Sequence, residues 1–237
     1  QLAIAHKDPL AGPLRIGAIP TLSPYLMPLI LKPMMQRLPQ SRLVLSEEMT
    51  NILLARLRRH EIDAALLATP VEDGDLEVLP LFKEPFWVAY PSNHPFYEKE
   101  KIVLRDLRNA NLLLLAEGHC LAEQAMDVCR IKERQPRGEL ADLRASSLET
   151  LIQLVGAGYG ITLIPALAIR GSWSAGSGVV AQPLAVADAS RRVSLVFRNS
   201  FPRRAALQAF AELIRDNLPN TVRRPGRNRR VKKKPRR

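Results

Sequence analysis

The chain has 237 residues, of which 46% are hydrophobic, so it is long and apolar enough to fold around a core. It has no apolar run of the roughly 18 residues that cross a membrane and no signal-peptide pattern at its start, which favours a soluble, cytoplasmic protein. The net charge is +12, but ten Lys and Arg residues and no acidic residue lie in 221–237, so the body carries only +2 and its charge does not indicate nucleic-acid binding.

The first third of the chain alternates short apolar runs with helical periodicity. Strands are predicted at residues 14–19, 42–47 and 63–68. Helices are predicted at residues 24–37 and directly after Thr50, which stands where an N-cap residue stands. This β-α-β-α-β order is typical of a parallel sheet covered by helices.

The rest of the chain repeats the same alternation. Strands are predicted at residues 86–90, 111–116, 161–165 and 192–197. Helices are predicted from about residue 119 to residue 133, over 147–155 with Ser146 or Ser147 as the cap, and over 202–218.

Two halves of this kind predict an α/β fold of two Rossmann-like lobes with a hinge, similar in outline to a periplasmic binding protein. Lobe I would comprise residues 13–84 and 190–220, and lobe II would be the inserted residues 85–189. Residues 221–237 would form a basic, disordered tail that adheres weakly to polyanions.

Cys120 and Cys129 are the two cysteines of the chain. Gly118 precedes a helix, so Cys120 lies in its first turn, where the helix dipole and the neighbouring His119 favour the thiolate. We therefore expect Cys120 to be an accessible thiol of low pKa that peroxide oxidises to sulfenic acid. Alternatively, both cysteines are inert packing residues. A metal site is disfavoured, because no further cysteine and no histidine stands at ligand spacing.

The nine-residue separation of the cysteines means that a disulfide between them requires a change in the backbone. Within one helix, nine residues rise roughly 13.5 Å and rotate about 900°, which places the two side chains on opposite faces. A disulfide needs Cα atoms within roughly 7 Å of each other. The bond therefore forms only if the helix unwinds, so a disulfide between these cysteines would be a conformational switch.

The sequence Gly-His-Cys-Leu-Ala-Glu-Gln-Ala-Met-Asp-Val-Cys at 118–129 resembles the redox segment of the hydrogen-peroxide sensors among LysR-type transcription regulators. The likeness extends to residues 14–28, 80–85, 144–151 and 158–167. The resemblance implies that Cys120 is the peroxidatic cysteine and Cys129 the resolving one. It also implies a transcription activator that answers oxidative stress and needs no cofactor.

The resemblance assigns roles to further residues around the thiol. Thr21 and Thr50 match threonines that line a peroxide pocket, and His119 matches the histidine next to the cysteine. Glu123 stands where these sensors have an aspartate, so the carboxylate is kept but is one methylene longer. Arg191 or Arg192 would supply an arginine near the thiolate, and the sequence does not decide between them.

Only 13 residues precede the first predicted strand, so we expect the chain to lack the winged helix-turn-helix with which these regulators begin. The implied partners are hydrogen peroxide, promoter DNA through the missing domain, RNA polymerase, a glutaredoxin- or thioredoxin-type reductant, and further copies in a homodimer or homotetramer. Two other functions stay open. One is an effector domain that binds a small organic anion near Thr21 and Ser147, and the other is a thiol peroxidase with turnover.

Overall fold

The structure, a computed structural model, describes residues 10–108, 110–130, 145–170 and 177–224. Seven strands lie in these ranges: β1 (Gly12–Ala18), β2 (Ser41–Glu47), β3 (Ala64–Leu67), β4 (Leu76–Pro91), β5 (Thr162–Pro165), β6 (Val179–Pro183) and β7 (Ser190–Arg198). Six α-helices accompany them: α1 (Ser23–Arg37), α2 (Thr50–Arg58), α3 (Leu104–Leu107), α4 (Cys120–Cys129), α5 (Leu148–Gly156) and α6 (Arg204–Asp216). None of the helices in these ranges is long and apolar enough to cross a membrane.

Lobe I is built on the predicted parallel strands. β1 lies between β2 and β3 and runs parallel to both, and β7 then pairs antiparallel with β3. Helix α2 packs so closely on β1 that a Cβ at Gly17 would lie 2.3 Å from Leu53 Cδ2, so only glycine fits there. The two-lobed α/β fold predicted from the alternation is confirmed.

One long strand joins the lobes. The first part of β4 pairs antiparallel with β7, and its last residues pair with β5 and β6. The strand predicted at 86–90 is therefore only the end of a 16-residue strand. The first part of this strand was not predicted because it contains Pro80 and Pro85, and proline lacks the N–H that a regular β-ladder requires. The structure accommodates Pro80 at a bulge, where the register with β7 shifts.

Lobe II differs from the prediction at two places. The strand predicted at 111–116 is wrong, because only single bridges join Leu112 to Ile161 and Leu115 to Ala145. Strand β6 was not anticipated. Helix α5 begins after Ser147, whose Oγ accepts a hydrogen bond from the Thr150 N–H at 3.1 Å, so Ser147 and not Ser146 is the cap.

Helix α4 ends earlier than predicted, and the ordered part of the chain before the tail extends further than predicted. The helix expected to reach residue 133 ends at Cys129, followed by Arg130 with a left-handed φ of 56°, and residues 131–133 lie outside the described residues. The disordered tail predicted from residue 221 is wrong for its first four residues. Val222 is buried, and Arg223 exchanges backbone hydrogen bonds of 2.8 and 2.9 Å with Lys83. Residues 225–237 lie outside the described ranges.

The buried apolar residues form two clusters. The larger one fills lobe I and continues across the cleft between the two lobes to residues of α4 and α5, among them Cys120 and Leu148. The smaller one lies within lobe II and includes Ala125, Cys129 and Tyr90. Helix α4 therefore contributes one cysteine to each cluster.

Side chains of α1 and α4 form hydrogen bonds that tie the lobes together across the cleft. Tyr25 of α1 donates its hydroxyl to Glu149 Oε1 of α5 at 2.6 Å. Gln124 of α4 donates its side-chain amide to the backbone oxygen of Ala68, just after β3, at 2.7 Å. Burial and the Glu149 carboxylate both raise the pKa of Tyr25, so its hydroxyl stays a donor at all ordinary pH values.

We expect Tyr25→Phe to lower the free energy of unfolding by about 1–2 kcal/mol, because a hydrogen bond to a carboxylate is lost from a buried position. Urea unfolding followed by circular dichroism measures this loss. Tyr97→Phe is the matched control, because Tyr97 is 64% exposed. Equal stabilities of the two variants would contradict an energetic role for the tie between the lobes.

Candidate functional site

A small pocket opens where three chain segments meet at the cleft. They are the loop after β1, the start of α2 and the start of α4. Its empty volume is about 170 Å³, including space open to solvent. The lining residues are Ile19, Pro20, Thr21, Met49, Thr50, Gly118, His119 and Cys120. The structure thus brings both predicted threonines, the histidine and the first cysteine to one place.

Cys120 is the first residue of α4 and is only 8% exposed. Burial raises the pKa of its thiol above the ordinary value, while the charge of Arg191 and then the hydroxyl of Thr50 lower it. The Glu123 carboxylate raises it further. The expectation of an accessible thiol of low pKa is therefore wrong for this state, because loss of solvent outweighs the helix start and the nearby cation.

His119 is buried beside the thiol, and its Nε2 has no hydrogen-bond partner. Burial lowers the pKa of the imidazole, and a hydrogen bond with the Ser146 backbone opposes this only in part. The ring is therefore neutral near pH 7. His119 therefore adds no positive charge beside the thiol at this pH, and its Nε2 is left to exchange a hydrogen bond or a proton with a molecule in the pocket.

The two threonines differ in their hydrogen bonds. Thr21 is buried, and its Oγ1 accepts a hydrogen bond from Arg191 Nη1 at 2.9 Å. The sequence predicted Thr50 as the N-cap of α2, and this prediction is wrong. Met49 is the N-cap, and Thr50 is the first helical residue. Its Oγ1 is buried and makes no hydrogen bond of normal geometry, but it is close to the Cys120 thiol, whose pKa it lowers, so it can pair with the sulfur or with a ligand in the pocket.

Strand β7 decides between the two candidate arginines. Successive side chains of a strand point to opposite faces, and here Arg191 is buried while Arg192 is exposed. Arg191 also donates from Nη2 to the backbone oxygen of Thr21 at 2.9 Å. Arg192 therefore does not belong to the site, and the assignment that included it is corrected.

Glu84 of β4 is the residue of this site that sequence reasoning missed. Its side chain is fully buried, and its Oε2 accepts a hydrogen bond from Arg191 Nε at 2.8 Å. Its Oε1 accepts the backbone N–H of Leu167 at 2.8 Å. A single acid between the apolar residues Phe82 and Phe86 was the available signal, since a carboxylate in such a run must find a partner.

Glu123 and Cys129 lie outside the pocket. Glu123 is on the exposed face of α4 and acts on Cys120 only through its charge. Cys129 is buried in the lobe II cluster, where burial raises the pKa of its thiol to about 11. Both thiols are free. The predicted helix is unbroken between them.

The pocket offers a thiol, two buried polar atoms that make no hydrogen bond of normal geometry, and a guanidinium that is one hydrogen bond away through Thr21. Such a site suits a small, uncharged molecule that both donates and accepts hydrogen bonds. No group of three or more metal-ligating side chains occurs in the described part of the chain.

Several known proteins are similar to this chain. The family model described as LysR substrate binding domain matches residues 7–219. A probable hydrogen peroxide-inducible genes activator of Mycobacterium avium is 41% identical over 212 residues, which cover 90% of this chain and 67% of that protein.

Two solved structures extend the likeness to the fold. The reduced form of the OxyR regulatory domain from Pseudomonas aeruginosa superposes with a TM-score of 0.79 at 35% identity, covering 88% of this chain and 99% of that one. A cysteine-to-serine mutant of Corynebacterium glutamicum OxyR with H2O2 bound superposes with a TM-score of 0.81 at 35% identity, covering 91% of this chain and 69% of that one.

The raised pKa of Cys120 predicts how its reactivity depends on pH. In a Cys129→Ser chain, we expect the rate of alkylation by iodoacetamide to rise about tenfold per pH unit from pH 7 and to level off at a higher pH than for an unburied thiol. Mass spectrometry of quenched samples gives the rates. The same chain unfolded in urea is the control, and a lower midpoint in the folded chain than in urea would contradict the argument.

Proposed function

This chain belongs to the LysR substrate-binding domain family as an OxyR-type regulatory domain, and we propose that it senses hydrogen peroxide by oxidation of Cys120. The observation that carries the proposal is the Cys120 thiol in a small pocket with two buried polar atoms, Thr50 Oγ1 and His119 Nε2, that make no hydrogen bond of normal geometry. Hydrogen peroxide has two donors and several lone pairs, so it pairs with both atoms while one oxygen faces the sulfur.

The first chemical step is a displacement at a peroxide oxygen. The Cys120 thiolate attacks one oxygen, an S–O bond forms, and the O–O bond breaks. The other oxygen leaves as hydroxide and takes up a proton to become water, while Cys120 becomes a sulfenic acid. The Arg191 charge stabilises both the thiolate and the leaving oxyanion, and the neutral His119 ring is placed to relay the proton.

The second step joins the two cysteines. The Cys129 thiolate attacks the Cys120 sulfur, a disulfide forms, and the S–O bond of the sulfenic acid breaks, so that hydroxide leaves and takes up a proton to become water. The two residues stand at opposite ends of α4, so this step requires the helix to unwind and Cys129 to leave its apolar cluster. Disulfide formation therefore changes the fold around 120–129, which is what a switch requires.

The rearranged segment would pass the signal to a DNA-binding part of the parent protein. We propose that the domain acts in the cytoplasm within a homodimer or homotetramer, and that the parent protein activates transcription by binding promoter DNA and contacting RNA polymerase. A glutaredoxin- or thioredoxin-type reductant would restore the thiols. The domain acts as a stoichiometric sensor and not as an enzyme, because a step gated by helix opening suits signalling better than turnover.

The size of the pocket argues against a larger organic effector. The pocket at Cys120 has about 170 Å³ even with its open side included. Peroxide is small enough for this space, and the Cys120 thiol that lines the pocket is the group that would react with it.

We expect one equivalent of hydrogen peroxide to remove both free thiols of the chain, because attack at Cys120 is followed by capture by Cys129. Thiol counting by mass spectrometry after alkylation measures the loss. Cys129→Ser is the matched control and stops at a sulfenic acid that dimedone traps. Unchanged peroxide sensitivity in Cys120→Ser would overturn the proposal, and sustained peroxide consumption with a reductant would instead indicate a thiol peroxidase.

The stability of α4 should set the rate of the second step. Asp127 lies on the exposed face of the helix, where glycine is about 1 kcal/mol less favourable than alanine. We expect Asp127→Gly to close the disulfide about fivefold faster than Asp127→Ala, with equal rates of sulfenic acid formation. Rapid-quench mass spectrometry separates the two steps. Identical closure rates would mean that helix opening does not limit the reaction.

A further inference from the structure

Arg191 is held by three hydrogen bonds that leave part of its guanidinium free. Nε donates to Glu84, Nη1 to the Thr21 hydroxyl and Nη2 to the Thr21 backbone oxygen. A guanidinium carries five N–H groups, so two remain for other acceptors. Thr21 lines the pocket, and the charge of Arg191 acts on the Cys120 thiol. The direction in which the remaining N–H groups point depends on the anchors.

Glu84 is the anchor that is itself fixed from two sides. One carboxylate oxygen accepts Arg191 Nε, and the other accepts the Leu167 backbone N–H, which follows β5 in lobe II. Both donors are buried, so any rotation of the carboxylate would leave one of them without a partner. A continuous path of hydrogen bonds thus runs from lobe II through Glu84 and Arg191 to Thr21 at the pocket.

We propose that Glu84 is a positioning residue for the oxidation of Cys120 by peroxide, because it holds the Arg191 guanidinium against Thr21 at the wall of the pocket. This inference rests on the proposed function. Glu84 does not line the pocket and does not touch peroxide, so it acts through Arg191. Without it, the arginine would have no buried partner on β4 and would turn toward solvent to regain hydration.

Glutamine tests this role because it keeps the shape of the side chain. A carboxylate accepts at both oxygens, whereas an amide accepts at one end and donates at the other. In Glu84→Gln, the amide NH2 would face either the Arg191 Nε–H or the Leu167 N–H, so one donor is displaced. Glu84→Asp keeps two acceptors but is one methylene shorter and cannot reach both donors.

The experiment uses the chain with Cys129→Ser, in which oxidation stops at the sulfenic acid. Dimedone trapping gives the second-order rate constant for hydrogen peroxide, and iodoacetamide alkylation over pH gives the titration of the thiol. Asp188→Asn is the matched control, since it removes an exposed carboxylate that pairs with Lys83, the neighbour of Glu84 on β4. We expect Glu84→Gln to lower the rate constant about tenfold or more, and Asp188→Asn to leave it unchanged.

Two further measurements separate positioning from a purely structural role. A displaced Arg191 shifts the alkylation profile of Glu84→Gln to higher pH, whereas a loosened fold speeds alkylation at every pH. The rate constant of Glu84→Gln combined with Arg191→Met should equal that of Arg191→Met alone, because Glu84 acts only through the arginine. Independent, additive losses would overturn the inference.

The remaining outcomes also decide the question. If Glu84→Gln does not fold, Glu84→Asp takes its place, and a parental rate constant in that variant would overturn the inference. If the parent chain reacts with peroxide and Glu84→Gln reacts within threefold of it, only the role of Glu84 is wrong. If the parent chain does not react at all, the proposed function falls and this inference falls with it.

Discussion

The ion pair between Glu84 of β4 and Arg191 of β7 lies where the two long strands pass between the lobes, and its residues are 0% and 3% exposed. Removal of one partner from a buried pair costs about 3–5 kcal/mol, because the other charge is left without solvent. The same two side chains contact Leu167 of lobe II and Thr21 of the pocket. This one ion pair therefore links the packing of lobe II to the shape of the reactive site.

Helix α4 imposes the second constraint. It begins at the pocket with Cys120 in the larger apolar cluster and ends with Cys129 in the smaller one. Each thiol is a satisfied packing residue as long as the helix is intact. Joining them means melting the helix and withdrawing at least one sulfur from its cluster, so the reduced fold resists the disulfide until oxidation makes the sulfur of Cys120 electrophilic.

Burial of the thiol has a cost in reactivity and a gain in selectivity. Loss of solvent keeps Cys120 protonated more than an open thiol, and Arg191 offsets only part of this. A larger oxidant does not fit the pocket, and a charged oxidant would have to lose its hydration to enter. In the proposed function, hydrogen peroxide is small and neutral, so it would meet neither barrier and would pair with Thr50 and His119.

Local patterns in the sequence were enough for the alternation of strands and helices, the parallel order of β1, β2 and β3, and the opposite faces of Cys120 and Cys129, because periodicity along the chain sets these features. The resemblance of 118–129 to peroxide sensors then indicated the chemistry. Only the tertiary structure decided that Arg191 enters the site and Arg192 does not, since the pairing of β7 with β4 and β3 sets which face is buried. It also revealed Glu84 and the raised pKa of Cys120. Both come from burial by segments far apart in sequence, and no local pattern encodes the sum of such contacts.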